Sequence, residues 1–544
     1  MNRKNTYLLL LWIILSPFGL FAQEYTRQDT LRGSITPERA WWDLVFYDLD
    51  IQVDPERRTI GGKNTIYYTV LEPRQVIQID LQEPMQAQSF LQDGKKLTYR
   101  REGNVYFVRL DRKQQVGELN SIEVTYGGQP KTSTNPPWDG GITWSTDSKG
   151  NPFIANSNQG DGASLWWPCK DHMYDEPDSM QISVRVPKPL MNISNGRLRN
   201  TIEHADNTRT FQWYVDNPIN NYGVNISIGD YAYFGEIYLG EKGPLTLDYY
   251  VLKENLETAK VHFRDAPKMM RAFEYWFGPY PFYEDGFKLI EVPYLGMEHQ
   301  SAVTYGNKYQ KGYLGSDFSK TGWGLTFDYI IIHEAGHEWF ANNITYKDIA
   351  DMWIHESFTT YSEGLFIDYH YGKQAGSDYI VGARQVIRND KPIIGVYNLN
   401  QRGSGDMYFK GANILHTLRT WINDDEKWRQ ILRRMNREFY HTTTTTQEVE
   451  QFLTRQTGLP LGPFFDQYLR TADIPTLEWK EENGKFAYRW SQTVANFYMP
   501  VGITQNGETH VLHVLNTWQQ TGQLDPREPF EIDRNVYIFE EKGN

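Results

Sequence analysis

Cysteine is almost absent. The 544 residues contain one, Cys169, so no internal disulfide can hold the chain together. A single cysteine beside Trp167 and Pro168 reads as a small buried residue rather than a nucleophile. Positive charge is also in deficit: 55 Lys and Arg stand against 68 Asp and Glu, a formal net charge of −13. That balance leaves no basic patch for nucleic acid, so nucleic-acid partners are excluded. No repeat of solenoid period stands out. Beyond the first 22 residues no apolar run is long enough to span a bilayer, so no membrane span is expected in a mature chain. What remains is ample for a large globular protein, with 40% hydrophobic residues, 15% of all residues aromatic, and length for three or so domains.

The densest chemical signal is His333-Glu334-Ala335-Gly336-His337. On a helix, histidines four apart share one face, so both imidazoles can reach one metal ion while Glu334 projects beside it as a general base. The flanks are apolar: Phe327, Tyr329, Ile330, Ile331 and Ile332 lead in, and Trp339 and Phe340 follow. Two imidazoles and a carboxylate in such a setting are costly without a partner, and a metal is the natural one. Catalytic zinc usually takes three protein ligands and keeps a position for water. Eighteen residues separate His337 from Glu356, far enough for a turn and a return on a second helix. Trp353, Ile354, Phe358, Tyr361, Leu365 and Phe366 give that stretch helical apolar spacing, and Glu356 lies inside the stripe. His355 diverges from Glu356 by about 100° on a helix and should not share the metal. Asp351 could orient a ligand histidine or serve as a cap. Glu363 reads as a paired or solvated acid.

Other segments join this one. Residues 294–299 read YLGMEH, residues 408–411 YFKG, residues 167–171 WPCKD and residues 277–281 FGPYP. Together with residues 333–361 they resemble the M1 family of zinc aminopeptidases, gluzincins akin to aminopeptidase N and leukotriene A4 hydrolase. The resemblance runs from about residue 40 to residue 470. It departs from the family pattern at His299, Leu295 and Ser357, where the GxMEN segment carries Asn and Gly and the Glu356 segment carries Gly. Leu295 and Ser357 are expected to tune packing, while His299 adjoins the substrate anchor. The large helical C-terminal domain of many relatives is missing from the pattern.

The resemblance implies roles. One Zn²⁺ ion per chain would sit on His333, His337 and Glu356, with Glu334 as the base. On the residues alone, Tyr408 reads as a core aromatic and Glu298 as a loop carboxylate. The resemblance makes Tyr408 the hydroxyl that stabilises the transition state and Glu298 the anchor for a substrate's free α-amine, with Gly296 and Met297 beside it. Gln159, in a short glycine-rich loop, falls where the family has a substrate-contacting Gln. The expected partner is a peptide with a free N-terminus. A zinc endopeptidase, an epoxide hydrolase of the same fold and a non-catalytic peptide-binding protein are the alternatives.

The chain reads as an α+β multidomain protein. Residues 40–230 are strand-rich, with short β-branched or aromatic runs at 66–70, 105–109 and 180–186 that suit a large antiparallel sheet. The stretch 132–150 reads as a loop and pocket wall. From about 235 the pattern turns helical, with amphipathic runs at 256–277 and 410–421. Thr445 and Glu448 form a capping box opening a helix over 449–455. Strands return after 475, at 485–490 and 510–514. The domains expected are therefore 23–234, 235–473 and 474–544. The family supplies the names: an N-terminal β-saddle, a thermolysin-like, mainly helical catalytic domain and a small C-terminal β-sandwich-like module.

Residues 1–22 read as a secretory signal, with Arg3 and Lys4 ahead of an apolar run broken by Pro17 and Gly19. No cysteine follows it, which argues against a lipoprotein, and a periplasmic or secreted mature protein is expected. Mass spectrometry of the exported protein should give a chain beginning at Gln23. An intact Met1 terminus would instead make the leader an anchor.

Overall fold

The computed structural model describes residues 25–543, so the expected signal segment lies outside the described residues. The strand-rich first third forms an eight-stranded sheet built around Trp42–Asp54 and Thr59–Val70. The sheet is antiparallel except where Trp42–Asp54 runs parallel to Ser179–Pro187. That one parallel junction departs from the all-antiparallel expectation, and it arises because more than a hundred residues of other strands and loops intervene between the two. A four-stranded sheet ending at Gly141–Thr146 packs with it. This strand occupies part of the stretch expected to be loop.

The next unit opens with strands, not helices. Tyr231–Gly240 and Gly243–Leu252 form a hairpin that begins a five-stranded sheet continuing through Phe287–Glu291, Val303–Tyr305 and Gly296–Met297. The expected boundary at 234–235 therefore lies inside a strand. Residues 256–277 form two helices, Leu256–His262 and Asp265–Phe277, not one. The helices Tyr329–Gly336, Trp353–Tyr371 and Phe409–Ile422 follow. The capping box at Thr445 and Glu448 opens a helix spanning Thr446–Thr457.

Two sheets of four and three strands make up the last seventy residues. Their apolar faces, through Trp490, Phe497, Met499 and Tyr537, share one core with the helices. Tyr468 hydrogen-bonds through its hydroxyl to the Tyr537 carbonyl at 2.6 Å, and the Tyr537 N–H donates to Thr417 Oγ1 at 2.9 Å. Among the described residues no helix is long and apolar enough to cross a membrane.

A shared core means that the last module cannot be removed cleanly. Burial of one large apolar side chain is worth about 1.5–3 kcal/mol, against a typical net stability of about 5–15 kcal/mol. A chain ended at Asp473 should therefore aggregate or unfold well below the full chain, as read by calorimetry. A soluble truncation with an unchanged melting temperature would contradict the shared core.

Candidate metal centre and its cleft

The helix Tyr329–Gly336 begins on Asp328, whose carboxylate accepts from the N–H groups of Ile330 at 3.0 Å and Ile331 at 3.2 Å. A cap of this kind is worth about 0.5–2 kcal/mol. Asp328 is in turn held by Tyr305 at 2.9 Å and Asn307 at 3.0 Å, which ties the start of the helix to the five-stranded sheet. Four-residue spacing then places the His333 and His337 rings 5.0 Å apart at their centroids.

Beyond His337 the helix widens into a π turn over Glu338–Asn342, with Phe340 at φ −128° and ψ 70°. Such turns recur at functional sites, and this one has a clear effect. It swings the Phe340 carbonyl back to accept from His337 Nδ1 at 3.1 Å. His333 Nδ1 is engaged as well, by Glu363 Oε1 at 2.7 Å, and Tyr379 donates to the other Glu363 oxygen. Both Nε2 atoms therefore remain for a ligand. They face Glu356 Oε2, at 3.7 Å from His333 and 3.5 Å from His337.

That carboxylate oxygen is the decisive atom for the metal. Glu356 Oε2 is buried and has no hydrogen-bond partner among the described residues, whereas Glu356 Oε1 accepts from Gln159 Nε2 at 3.1 Å. An orphaned buried carboxylate oxygen is expensive, and here it converges with two imidazole nitrogens. Ligand atoms of His333, His337 and Glu356 all lie within 4.8 Å of one another. Three N/O donors, with the remaining ring nitrogens fixed by a carboxylate and a carbonyl, fit zinc. The electrostatics agree. Burial alone would raise Glu356, but His337 and His333 hold it well below the usual carboxylate range. Burial alone would lower His333, but Glu356 and Glu363 hold it well above its ordinary value. The cluster demands positive charge.

Glycine sets the close contacts. A Cβ on Gly296 would lie 2.5 Å from Ile330 Cγ2 and 3.3 Å from Glu334 Cγ, so only glycine lets this edge strand lie on the metal helix. A Cβ on Gly336 would lie 2.7 Å from Ser362 Oγ, so the two ligand-bearing helices cross there without a side chain between them.

The cleft is lined by Gln159, Leu295, Gly296, Met297, Glu298, Glu334, Tyr408 and the three metal-site residues, walled by Pro137, Trp138, Tyr313, Tyr329 and Ile330, and reached by Arg402. Every residue predicted for the site is thus brought together. Burial pushes the Glu334 carboxyl up to about 7, with Glu298 and Glu356 adding to the push and the imidazoles opposing it. Glu298, only 3% exposed, accepts from Tyr222 at 3.1 Å. Tyr408 lies with its ring 6.0 Å from that of His333 and nearly parallel to it. Burial, reinforced by Glu356, holds its phenol well above the ordinary value, so it stays a proton donor.

Several expectations change. Asp351 does not touch a ligand histidine; it accepts from Thr446 and Tyr397. Orientation of His333 falls to Glu363, seven residues after Glu356 and therefore two turns along the same helical face, a spacing that the sequence displays. Leu295 packs against the core as expected and also lines the cleft. His299 turns away from the cleft, between Asn156 at 3.3 Å and Thr304 at 3.4 Å, and burial drives it to about 3, so it is neutral. Pro137 and Trp138 come from the stretch expected to form a pocket wall, whereas Tyr313 and Arg402 carry no local motif and only the fold reveals them.

Known proteins share this arrangement of elements. Residues 262–468 match the model for the Peptidase family M1 domain. That segment holds His333, His337 and Glu356 together with Glu298 and Tyr408. Among curated relatives, Probable aminopeptidase 1 of Saccharolobus solfataricus is 22% identical over 327 residues, covering 57% of this chain and 40% of the relative. Endoplasmic reticulum aminopeptidase 1 of Rattus norvegicus is 21% identical over 428 residues, 73% of this chain and 44% of the relative. The chain spans about half the length of the curated relatives it matches. An M1 zinc metallopeptidase mutant from Deinococcus radiodurans, solved with a Tyr-Ser-Ala substrate, superposes with a TM-score of 0.66 at 20% identity, covering 80% of this chain and 96% of that one. A two-domain M1 zinc metallopeptidase mutant solved with L-tryptophan gives 0.68 at the same identity and coverage. At this identity the likeness establishes the fold.

Removing the acid that orients His333 should weaken the metal more than it unsettles the fold. Glu363→Ala should lower zinc affinity about 10–100-fold, measured by competition with a chromophoric chelator. Unchanged affinity would mean that Glu363 does not orient the ligand.

Proposed function

We propose that this chain is an exported zinc aminopeptidase that removes N-terminal residues from peptides. The observation that carries the reading is Glu298. Its carboxylate is buried within 4.8 Å of the Glu334 and His337 ligand atoms and opens into the same cleft as the metal centre. A buried anion beside the reacting centre is matched by a substrate's α-ammonium. A blocked N-terminus would leave that charge unpaired, a penalty of several kcal/mol by order of magnitude.

The residues divide the work. His333, His337 and Glu356 would hold a zinc ion, which would supply Lewis acidity there. Glu334, poised by burial near neutrality, takes the proton of the attacking water and returns it to the leaving amine. Tyr408 donates its hydroxyl hydrogen bond where negative charge develops, a contribution typically worth about 10²–10³ in rate. Glu298 and the edge strand at Gly296 and Met297 fix the substrate's amino end, and Gln159 holds Glu356 in place from the N-terminal domain. Export is supported by the charge and apolar run of residues 1–22.

The test is a panel of aminoacyl chromogenic amides and their N-acetylated counterparts, with and without a chelator and added zinc. Chelator-sensitive cleavage of the free-amine set alone is expected, and Glu298→Ala should abolish that preference. Equal cleavage of the blocked set would make the protein an endopeptidase. No cleavage by zinc-loaded, folded protein would favour a binding role.

A further inference from the structure

The cleft is acidic, with Glu298, Glu334 and Glu356 around the metal centre, and apart from the two ligand histidines its cationic lining is Arg402. Arg402 is exposed and makes no hydrogen bond, ion pair or ring contact with another described residue. Other arginines of the helical unit are engaged. Arg384 donates to Asn413 at 2.6 Å, and Arg419 pairs with Asp368 at 2.7 Å and Asp425 at 2.8 Å.

The backbone that presents Arg402 is fixed. Asn400 Nδ2 donates to the Gly160 carbonyl at 3.0 Å, next to Gln159. The Ser404 N–H donates to the Pro392 carbonyl at 2.9 Å. At Gly403 the two arms of the loop approach so closely that a Cβ would lie 1.7 Å from the Ile393 carbonyl oxygen. An unpaired guanidinium on a pinned loop, aimed into a ligand cleft, is a built feature and not a solvated tail.

Its position relative to Glu298 gives the cleft a polarity. Glu298 flanks the metal centre from the His337 side. Tyr408, which stacks on His333, lines the cleft together with Arg402 and marks the other side. A peptide whose amine lies on Glu298 and whose first carbonyl lies at the metal continues toward Arg402. Each further residue advances the chain by about 3.5 Å, so a carboxylate one or two residues past the cut comes within the sweep of a long arginine side chain. Guanidinium and carboxylate match as a two-point hydrogen-bonded pair.

We propose that Arg402 binds a substrate carboxylate downstream of the scissile bond, the C-terminal carboxylate of a di- or tripeptide, so that the cleft is complementary to short zwitterionic peptides. The proposal rests on the aminopeptidase reading. Arg402 is a specificity-determining residue here, with no part in the bond-breaking step.

Binding can be measured without turnover. In zinc-loaded Glu334→Gln protein, calorimetry would compare the tripeptide Leu-Ala-Ala as free acid, the same peptide as C-terminal amide, and Leu-Asp-Ala amide. The free acid should bind about 10–100-fold more tightly than its amide. Adding Arg402→Met should bring that ratio close to one, and Arg402→Lys should restore part of it. Equal binding of acid and amide with Arg402 present would overturn the proposal. So would a loss in Arg402→Met that strikes acid and amide alike. Leu-Asp-Ala amide binding as tightly as the free acid would overturn the C-terminal assignment and give Arg402 to acidic side chains. Failure of every peptide to bind would overturn the peptide reading itself, a result distinct from equal binding.

Discussion

The structure is organised around one buried oxygen. Glu356 Oε2 faces two imidazole nitrogens with no proton donor of its own, and everything around it serves to keep that arrangement. The helix bearing His333 and His337 is anchored by Asp328, the helix bearing Glu356 crosses it at Gly336, and the π turn supplies a carbonyl to the second histidine. None of these features is stable for its own sake. Carboxylates and imidazoles in a nearly dry interior are tolerated only where opposite charges are matched, and a divalent cation completes the match.

The same principle explains how the cleft divides its chemistry. Glu334 and Glu356 are both buried glutamates, yet their environments drive them in opposite directions. Glu356 is dominated by the facing imidazoles and stays ionised, whereas Glu334 has burial and two other acids against it and hovers near neutrality. A pair of titratable groups pushed apart in this way is the usual mark of a division between ligand and base.

Much of this was legible in the sequence because it is local. The spacing of His333, Glu334 and His337 needs only a helix, and the return to Glu356 needs only a second one. The Thr445 and Glu448 box sets its helix start by short-range contacts. What escaped notice depends on distant partners. The helical periodicity after residue 255 conceals the break between His262 and Asp265. Gly243–Leu252 alternates buried and half-buried positions, but Phe287–Glu291 and Val303–Tyr305 are buried on both faces and show no alternation. Asp351 and Glu363 are both acids near Glu356, and only the packed helices decide that Glu363 meets His333. Trp138 and Arg402 come to the cleft from loops more than 250 residues apart, a meeting that no local pattern encodes.

The hydrogen bond from Gln159 to Glu356 joins residues 197 apart in sequence, one in the N-terminal unit and one in the helical unit. A metal ligand is thereby steadied from outside the unit that carries it. Were the two units to part, Glu356 would lose a donor on one oxygen, and its electron density would shift toward the other, the oxygen that faces the histidines. Opening of the cleft and the electron-withdrawing strength of the centre are therefore linked variables. The donor strength of a metal ligand thus depends on a residue of the N-terminal unit staying in place.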